Sequence, residues 1–310
     1  MAKEAHRNVQ MMGTSIDLMV VHEEPEFVLG EMVEQLITYE QRFSANDDSS
    51  ELARVNNAAG IESVQVHPEL FRLIEIGKQH SLASGSFLNI AIGPLIQAWR
   101  IGFADARVPL GEEIEELLQI INPEEISLDS ETSSVYLRKK GMKIDLGALA
   151  KGFIADRLVD FLEEVDAKSA LINLGGNLVT YGPALKRTDE LWRIGIQKPL
   201  SQRGQSQIIL KVDEKSVVTS GIYERQLQVD GEKYHHIFDP KTGYPVETDI
   251  ASLTIVSDLS VDGEIWTTRL FGHSPQAIIN ELNTMDAIDG LVITKSGEVL
   301  YSKGLRDKIV

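Results

Sequence analysis

Between Lys143 and Glu164 the chain reads KIDLGALAKGFIADRLVDFLEE. A carboxylate, two glycines and a lysine crowd the start of a stretch whose apolar residues Phe153, Ile154, Leu158, Phe161 and Leu162 recur at helical spacing. The first turn of a helix carries free backbone N–H groups and the positive end of its dipole, and glycine lets a ligand come close to the backbone. Lys151 can reach a phosphate oxygen from there. Asp145 to Lys151 therefore has the composition of an anion site, although it is not a Walker A loop, which requires G-x-x-x-x-G-K-[ST]. The plain alternative is a helix cap at Asp145 and a solvated Lys151.

A second set of donors stands in DGEIWTTRLFG. Glu264 and Thr268 are four apart and so share one face of a helix. A carboxylate and a hydroxyl placed in this way can share a hard cation such as Mg²⁺, which often keeps substrate phosphates among its oxygen ligands. An exposed helix face is the ordinary alternative, and Asp262 is either a competing ligand or the cap of that helix. In YHHIFDPKTGYP, His235 and His236 are strand neighbours pointing to opposite faces, so at most one of them faces a given site. The pair lacks metal-ligand spacing, and no H-E-x-x-H occurs. SVVTSGIYERQ is a further polar, loop-like candidate. Gly175, Gly176 and Asn177 interrupt an apolar strand, which marks a bulge or the close passage of another group. No G-x-G occurs in the chain, and this excludes a Rossmann fingerprint.

Composition narrows the function classes. A chain of 310 residues with a net charge of −17 does not wrap nucleic acid, which requires Lys and Arg against phosphates. A phosphorylated ligand must instead be met by a few placed donors, helix ends or a metal. The absence of cysteine excludes disulfides, thiolate catalysis and Cys-ligated zinc. The N-terminal residues have neither the apolar core of a signal peptide nor a lipid-attachment cysteine, and no stretch approaches a membrane span. As written, the chain reads as cytoplasmic; an extracytoplasmic lipoprotein is the alternative if a leader has been removed.

The elements that must position these residues form a mixed pattern. MMGTSIDLMVVHE alternates like a strand, and FVLGEMVEQLITYEQRF carries Phe27, Val28, Met32, Leu36, Ile37 and Phe43 at helical spacing. PELFRLIEIGKQHSLAS reads as a second helix, FLNIAIGPLIQAWRIGF as buried chain leading to a third, and EEIEELLQII as a short acidic helix. VYLRKKGMKIDLG reads as a hairpin turning near Lys140 and Gly141 and ending at Asp145. Strand-like segments dominate after residue 169, with helices around GEIWTTRLF and SPQAIINELN and a last hairpin in GLVITKSGEVLYSKG. No repeat or linker divides the chain, so one continuous α+β unit over residues 1–310 is expected.

In their order and wording these segments resemble the FAD:protein FMN transferases, the ApbE flavin transferase family. MMGTSIDL, FSANDDSSELARVN, NIAIGPLIQAWRIGF, KIDLGALAKGFIADR, SALINLGGNLVTYG, WRIGIQKP, VVTSGIYER and HHIFDPKTGYP carry the resemblance, which extends to the TTRLFG helix. It implies a single mixed α/β unit of the ApbE, T-fold-like type. It also implies a Mg²⁺-dependent enzyme that cleaves FAD, attaches FMN through a phosphoester bond to a Ser or Thr of a target flavoprotein, and releases AMP. By the same resemblance, FAD contacts fall on Met12, Phe87, Leu88, Asn89, Asp145, Lys151, His236 and Ile237. The metal falls on the Ala148 carbonyl, Glu264 and Thr268, and Lys151 and His236 are the catalytic candidates, His236 as base. Three positions depart from the family pattern: Glu264 stands for an aspartate, Asn89-Ile90-Ala91 for a segment usually written D-x-T, and Asn46 for an aromatic. A FAD pyrophosphatase and a non-catalytic flavin-binding protein are the competing expectations.

Overall fold

The structure is a computed structural model that describes residues 1–202 and 204–310. Strands β1 (Lys3–Met11) and β2 (Thr14–His22) come first, followed by helices α1 (Pro25–Phe43) and α2 (Glu51–Asn57). Then come β3 (Val64–Gln65), α3 (Pro68–Ser81), α4 (Gly93–Trp99), α5 (Gly111–Leu118), β4 (Ile126–Asp129), β5 (Ser134–Leu137) and α6 (Ala150–Glu164). A run of strands follows: β6 (Ser169–Asn173), β7 (Asn177–Tyr181), β8 (Trp192–Gln197), β9 (Ser206–Val212), β10 (Ser216–Gly221), β11 (Gln226–Val229), β12 (Glu232–His235) and β13 (Ile250–Ser257). The chain closes with α7 (Ser260–Leu270), α8 (Pro275–Leu282), β14 (Ile288–Thr294) and β15 (Val299–Tyr301).

Eight strands form one sheet in the order β1-β2-β6-β7-β10-β13-β14-β15, so strands from the two ends of the chain share it. Every neighbouring pair in it is antiparallel. Helices cover one face. Val28, Met32 and Leu36 of α1 and Ile154 and Leu158 of α6 pack with Ile16, Leu18 and Ile172 of the sheet, while Leu270 and Ile278 pack with Leu253 and Ile255. The β8–β9 ribbon covers the opposite face, with Ile194, Ile196 and Leu210 against Val217, Val256 and Ile293. Strand β13 lies between both layers, and all its residues are buried. Its apolar residues accordingly fall on both faces, with Leu253 and Ile255 toward the helices and Val256 toward the ribbon, and its polar Ser252, Thr254 and Ser257 are buried with them. An antiparallel sheet with helices gathered on one face is an α+β fold, as the sequence implied. Among the described residues no helix is long and apolar enough to cross a membrane.

Several local expectations are corrected. MMGTSIDLMVVHE is not one strand: Met12 and Gly13 turn a hairpin whose first strand begins at Lys3. In α1 the buried stripe is Val28, Leu29, Met32, Leu36, Tyr39 and Phe43. Phe27 and Ile37 are 59% and 36% exposed, because each lies one residue to the side of that stripe. VYLRKKGMKIDLG does turn at Lys140 and Gly141 but is not a hairpin. Only β5 is strand; the return leg leaves it and pairs instead with the chain before α4, through an Ile92–Lys143 bridge and Asp145 N–H donating to Ile90 O at 2.8 Å. Gly175 and Gly176 are not a bulge but the turn between β6 and β7, both at positive φ (72° and 90°), where a side chain would be strained. A side chain on Gly175 would also collide with Thr14.

Helices α6 and α7 meet closely at Gly152 on α6. A β-carbon there would stand 2.5 Å from Ser260 O and 2.7 Å from Val261 Cα, both backbone atoms at the start of α7. Gly152→Ala gains about 1 kcal/mol of helix propensity but overpacks a rigid contact, which costs about 1–3 kcal/mol. We expect a net fall in the urea midpoint of unfolding with an unchanged slope; a rise would mean that the helices separate freely.

Candidate active site

The loop before α6 is built by Asp145. Its Oδ1 accepts the Gly147 N–H at 2.8 Å, closing a small turn, and the main chain then enters the helix through Ala150 N–H to Leu146 O. The N-cap of α6 is Leu149, with no side-chain cap, so Asp145 does not cap the helix. It sits too far upstream and caps its own turn instead. Burial pushes the Asp145 carboxyl above its ordinary range, against the opposing pull of the Gly147 N–H and the Arg225 charge.

Glu264 approaches this loop from α7. Its side chain is only 6% exposed, and its Oε1 lies 3.5 Å from Lys151 Nζ and accepts Asn177 Nδ2–H at 3.0 Å. Asn177 Oδ1 in turn accepts the Ser260 hydroxyl at 2.8 Å. The start of α7 is capped from outside: Asp156 of α6 accepts Ser260 N–H at 2.6 Å on one oxygen and Val261 N–H at 3.0 Å on the other. Asp262 therefore neither caps α7 nor lines the cavity described below, and its carboxyl is pushed up by burial and by Asp258.

The two histidines divide, although β12 ends at His235 and His236 lies in the bend that follows it. His235 is buried, with Nε2 against Val246 O at 3.0 Å and Nδ1 accepting Ile237 N–H at 3.2 Å. It holds the loop together. His236 faces the other way, and its Nδ1 donates to Arg225 O at 3.4 Å, which leaves Nε2 as the acceptor of a neutral ring. Burial first, then the Arg225 charge, lower its pKa from 6.5 to about 4.

These segments open on one cavity of about 590 Å³. Met12, Phe87, Leu88, Asn89, Asp145, Ala148, Lys151, His236, Ile237, Glu264 and Thr268 all line it, as does Asn46. Within that wall they differ in kind. Met12 adopts φ 52° and donates its N–H to Glu40 at 2.8 Å. The Phe87 ring meets His273 edge-on, and its N–H reaches Arg269 O at 3.2 Å, tying this loop to α7. Asn89 spends its side chain on Ala91 N–H (2.8 Å) and Ile121 O (2.9 Å), so what it offers a ligand is its main chain. Arg225 was not singled out from sequence. It lies along the cavity, with its stem beside Gly102 and its guanidinium beside Gly13. Asp156 was also missed; a carboxylate inside the apolar stripe between Ile154 and Leu158 was the available signal.

The donors fit a magnesium ion of one particular kind. Among the described residues no cluster of three His, Asp or Glu side chains could hold a metal by itself. The wall offers one carboxylate of Glu264, the Thr268 hydroxyl and the Ala148 carbonyl, which the hydrogen bonds opening α6 leave unclaimed. An oxygen-only set this small suits Mg²⁺ that takes its remaining ligands from water and substrate phosphates.

An antiparallel sheet whose covering helices bring a lysine, a carboxylate and the N-terminus of a helix to one cavity defines an α+β protein with a site for an anionic ligand. The chain belongs to the ApbE family, whose model matches residues 12–292. It is 38% identical over 296 residues to the FAD:protein FMN transferase of Klebsiella pneumoniae, covering 96% of this chain and 91% of that one. The Treponema pallidum protein of the same name is 33% identical over 324 residues, covering 99% and 89%. The crystal structure of the ApbE protein from Thermotoga maritima superposes with a TM-score of 0.90 at 26% identity, over 99% of both chains.

Two desolvated groups titrate in opposite senses. The Asp156 pKa is raised from 3.8 to about 6, mainly by burial, so the folded state holds the extra proton between these values and stability falls as pH rises through them. The His236 pKa is lowered from 6.5 to about 4, so the unfolded state holds the extra proton and stability rises with pH. Each contributes a slope of at most about 1.4 kcal/mol per pH unit. Between about pH 4 and pH 6, Asp156→Asn should make the slope of unfolding free energy against pH more positive than in the wild type, and His236→Gln should make it more negative. Urea titrations across this range check both signs.

Proposed function

We propose that this protein is a Mg²⁺-dependent FAD:protein FMN transferase. It cleaves the pyrophosphate of FAD and joins FMN to a Ser or Thr hydroxyl of a target flavoprotein. The observation that carries the reading is the convergence of Asp145–Lys151, His236 and Glu264–Thr268 on a single cavity, in a chain whose relatives bear that activity as their name.

The reaction needs negative charge neutralised at the pyrophosphate and a proton removed from the acceptor. Lys151 Nζ, one residue into α6, and the free N–H groups of that helix meet the phosphate oxygens. Bound to Glu264, Thr268 and the Ala148 carbonyl, Mg²⁺ would supply Lewis-acid neutralisation of the same oxygens. The Asp145 turn holds the loop at the depth that presents Ala148. His236, neutral at Nε2, accepts the proton of the hydroxyl as that oxygen bonds to the phosphorus on the riboflavin side. The bond from this phosphorus to the bridging oxygen breaks, and the electron pair leaves with AMP. The departures from the family pattern leave this chemistry intact: Glu264 is longer than aspartate but anchored, and Asn89 acts through its main chain.

Incubation with FAD, Mg²⁺ and candidate flavoproteins should yield an acceptor heavier by the mass of FMN less water, with one AMP released per adduct. Free FMN without adduct would make the protein a pyrophosphatase, and intact FAD would make it a flavin binder. Lys151→Ala and Thr268→Ala should each lower transfer by about 10²-fold or more without loss of fold, whereas Glu264→Asp should retain activity. Wild-type rates in either alanine variant at saturating FAD and Mg²⁺ would remove that residue from the chemistry.

A further inference from the structure

The carboxylate of Glu264 is held asymmetrically. Both donors that reach it, Asn177 Nδ2 at 3.0 Å and Lys151 Nζ at 3.5 Å, converge on Oε1. Among the described residues the carboxylate accepts one hydrogen bond, at Oε1, and none at Oε2. The carboxylate also decides which way round the Asn177 amide sits, because a carboxylate oxygen accepts and the facing atom must be the NH₂. Asn177 Oδ1 therefore faces Ser260, whose hydroxyl donates to it at 2.8 Å. Neither residue can turn away: Asn177 and Ser260 are fully buried, and Ser260 N–H is fixed by Asp156 at 2.6 Å.

We propose that Asn177 is a positioning residue for the metal. By occupying Oε1 it makes Glu264 a donor through one oxygen only, and so sets the preference of the site for Mg²⁺ over Ca²⁺. The proposal rests on the metal reading given above. Mg²⁺ requires near-octahedral geometry with short bonds and accepts a carboxylate through one oxygen. Ca²⁺ is larger, takes more ligands and readily accepts both oxygens of a carboxylate. A Glu264 freed from Asn177 can rotate and present both oxygens, which favours Ca²⁺. Asn177 has no contact with the cavity itself and acts only through Glu264.

The test is calorimetric titration of Mg²⁺ and, separately, Ca²⁺ into the full chain with ADP present to supply the phosphate ligands. It compares wild type with Asn177→Leu and Ser260→Ala. Asn177→Leu should weaken Mg²⁺ binding by about tenfold or more and lower the ratio of Mg²⁺ to Ca²⁺ affinity with it; Ser260→Ala, which frees only the far end of the amide, should shift the ratio in the same direction by less. A merely structural role would weaken both ions alike, and an unchanged ratio in folded Asn177→Leu overturns the proposal. If Asn177→Leu does not fold, the ratio in Ser260→Ala decides. Absence of metal binding by the wild-type protein with ADP would instead overturn the metal reading itself.

Discussion

Where α6 meets the start of α7, Gly152 lets the Ser260 carbonyl approach to 2.5 Å from the place a β-carbon would take. One turn further along α6, Asp156 accepts the first two N–H groups of α7. A bare backbone and a carboxylate on the same helical face thus fix both the distance and the depth of the second helix. Lys151 precedes that contact on α6, and Glu264 follows it on α7, one turn into the helix. The separation of the backbones that carry them is therefore a property of the helix pair. Burying Asp156 is costly, as its raised pKa records, yet its two backbone donors would otherwise be left without partners at a buried helix end.

The electrostatics of the cavity are local. A chain with net charge −17 would repel an anion as a whole, but screening confines that effect to about a Debye length, roughly 8–10 Å in ordinary salt. Inside the cavity the positive fields come from Lys151, Arg225 and the N-terminus of α6, set among the carboxyl groups of Glu40, Asp145, Glu224 and Glu264. The same cations act on the other ionisable groups there. Arg225 opposes the burial-driven rise of Asp145 and adds to the depression of His236. Desolvation first, and these cations second, keep the imidazole neutral, which is the state a proton acceptor requires.

Much of this was legible in the sequence, to a depth that depended on how local the cause was. The α6 stripe from Phe153 to Leu162 and the four-residue spacing of Glu264 and Thr268 follow from helical geometry alone. His235 and His236 were read as strand neighbours on opposite faces; they do face apart, but the strand ends at His235 and the bend after it turns His236 to the cavity. Illegible were the features whose partners lie far away. The leg from Met142 to Asp145 looked like a hairpin return because its residues suit a strand, but its hydrogen bonds go to Ile90 and Ile92. Gly175 and Gly176 looked like a defect in one strand because nothing nearby says where the chain reverses. Asp156 looked like an ordinary charge on a helix, and its meaning comes from Ser260 and Val261, more than a hundred residues on.

The sequence by itself determined the residue types, their periodicities and the order of motifs, and these were enough to place the chain in its family and to name the groups that could do the chemistry. Only the tertiary structure decided which of these groups share a cavity, which oxygen of Glu264 is held and which is left, and which carboxylate closes the start of α7. Period and composition report the bonds a residue makes to its near neighbours along the chain. Contacts between segments depend on how a sheet and its covering helices pack, and that is settled by the burial of the whole apolar set at once.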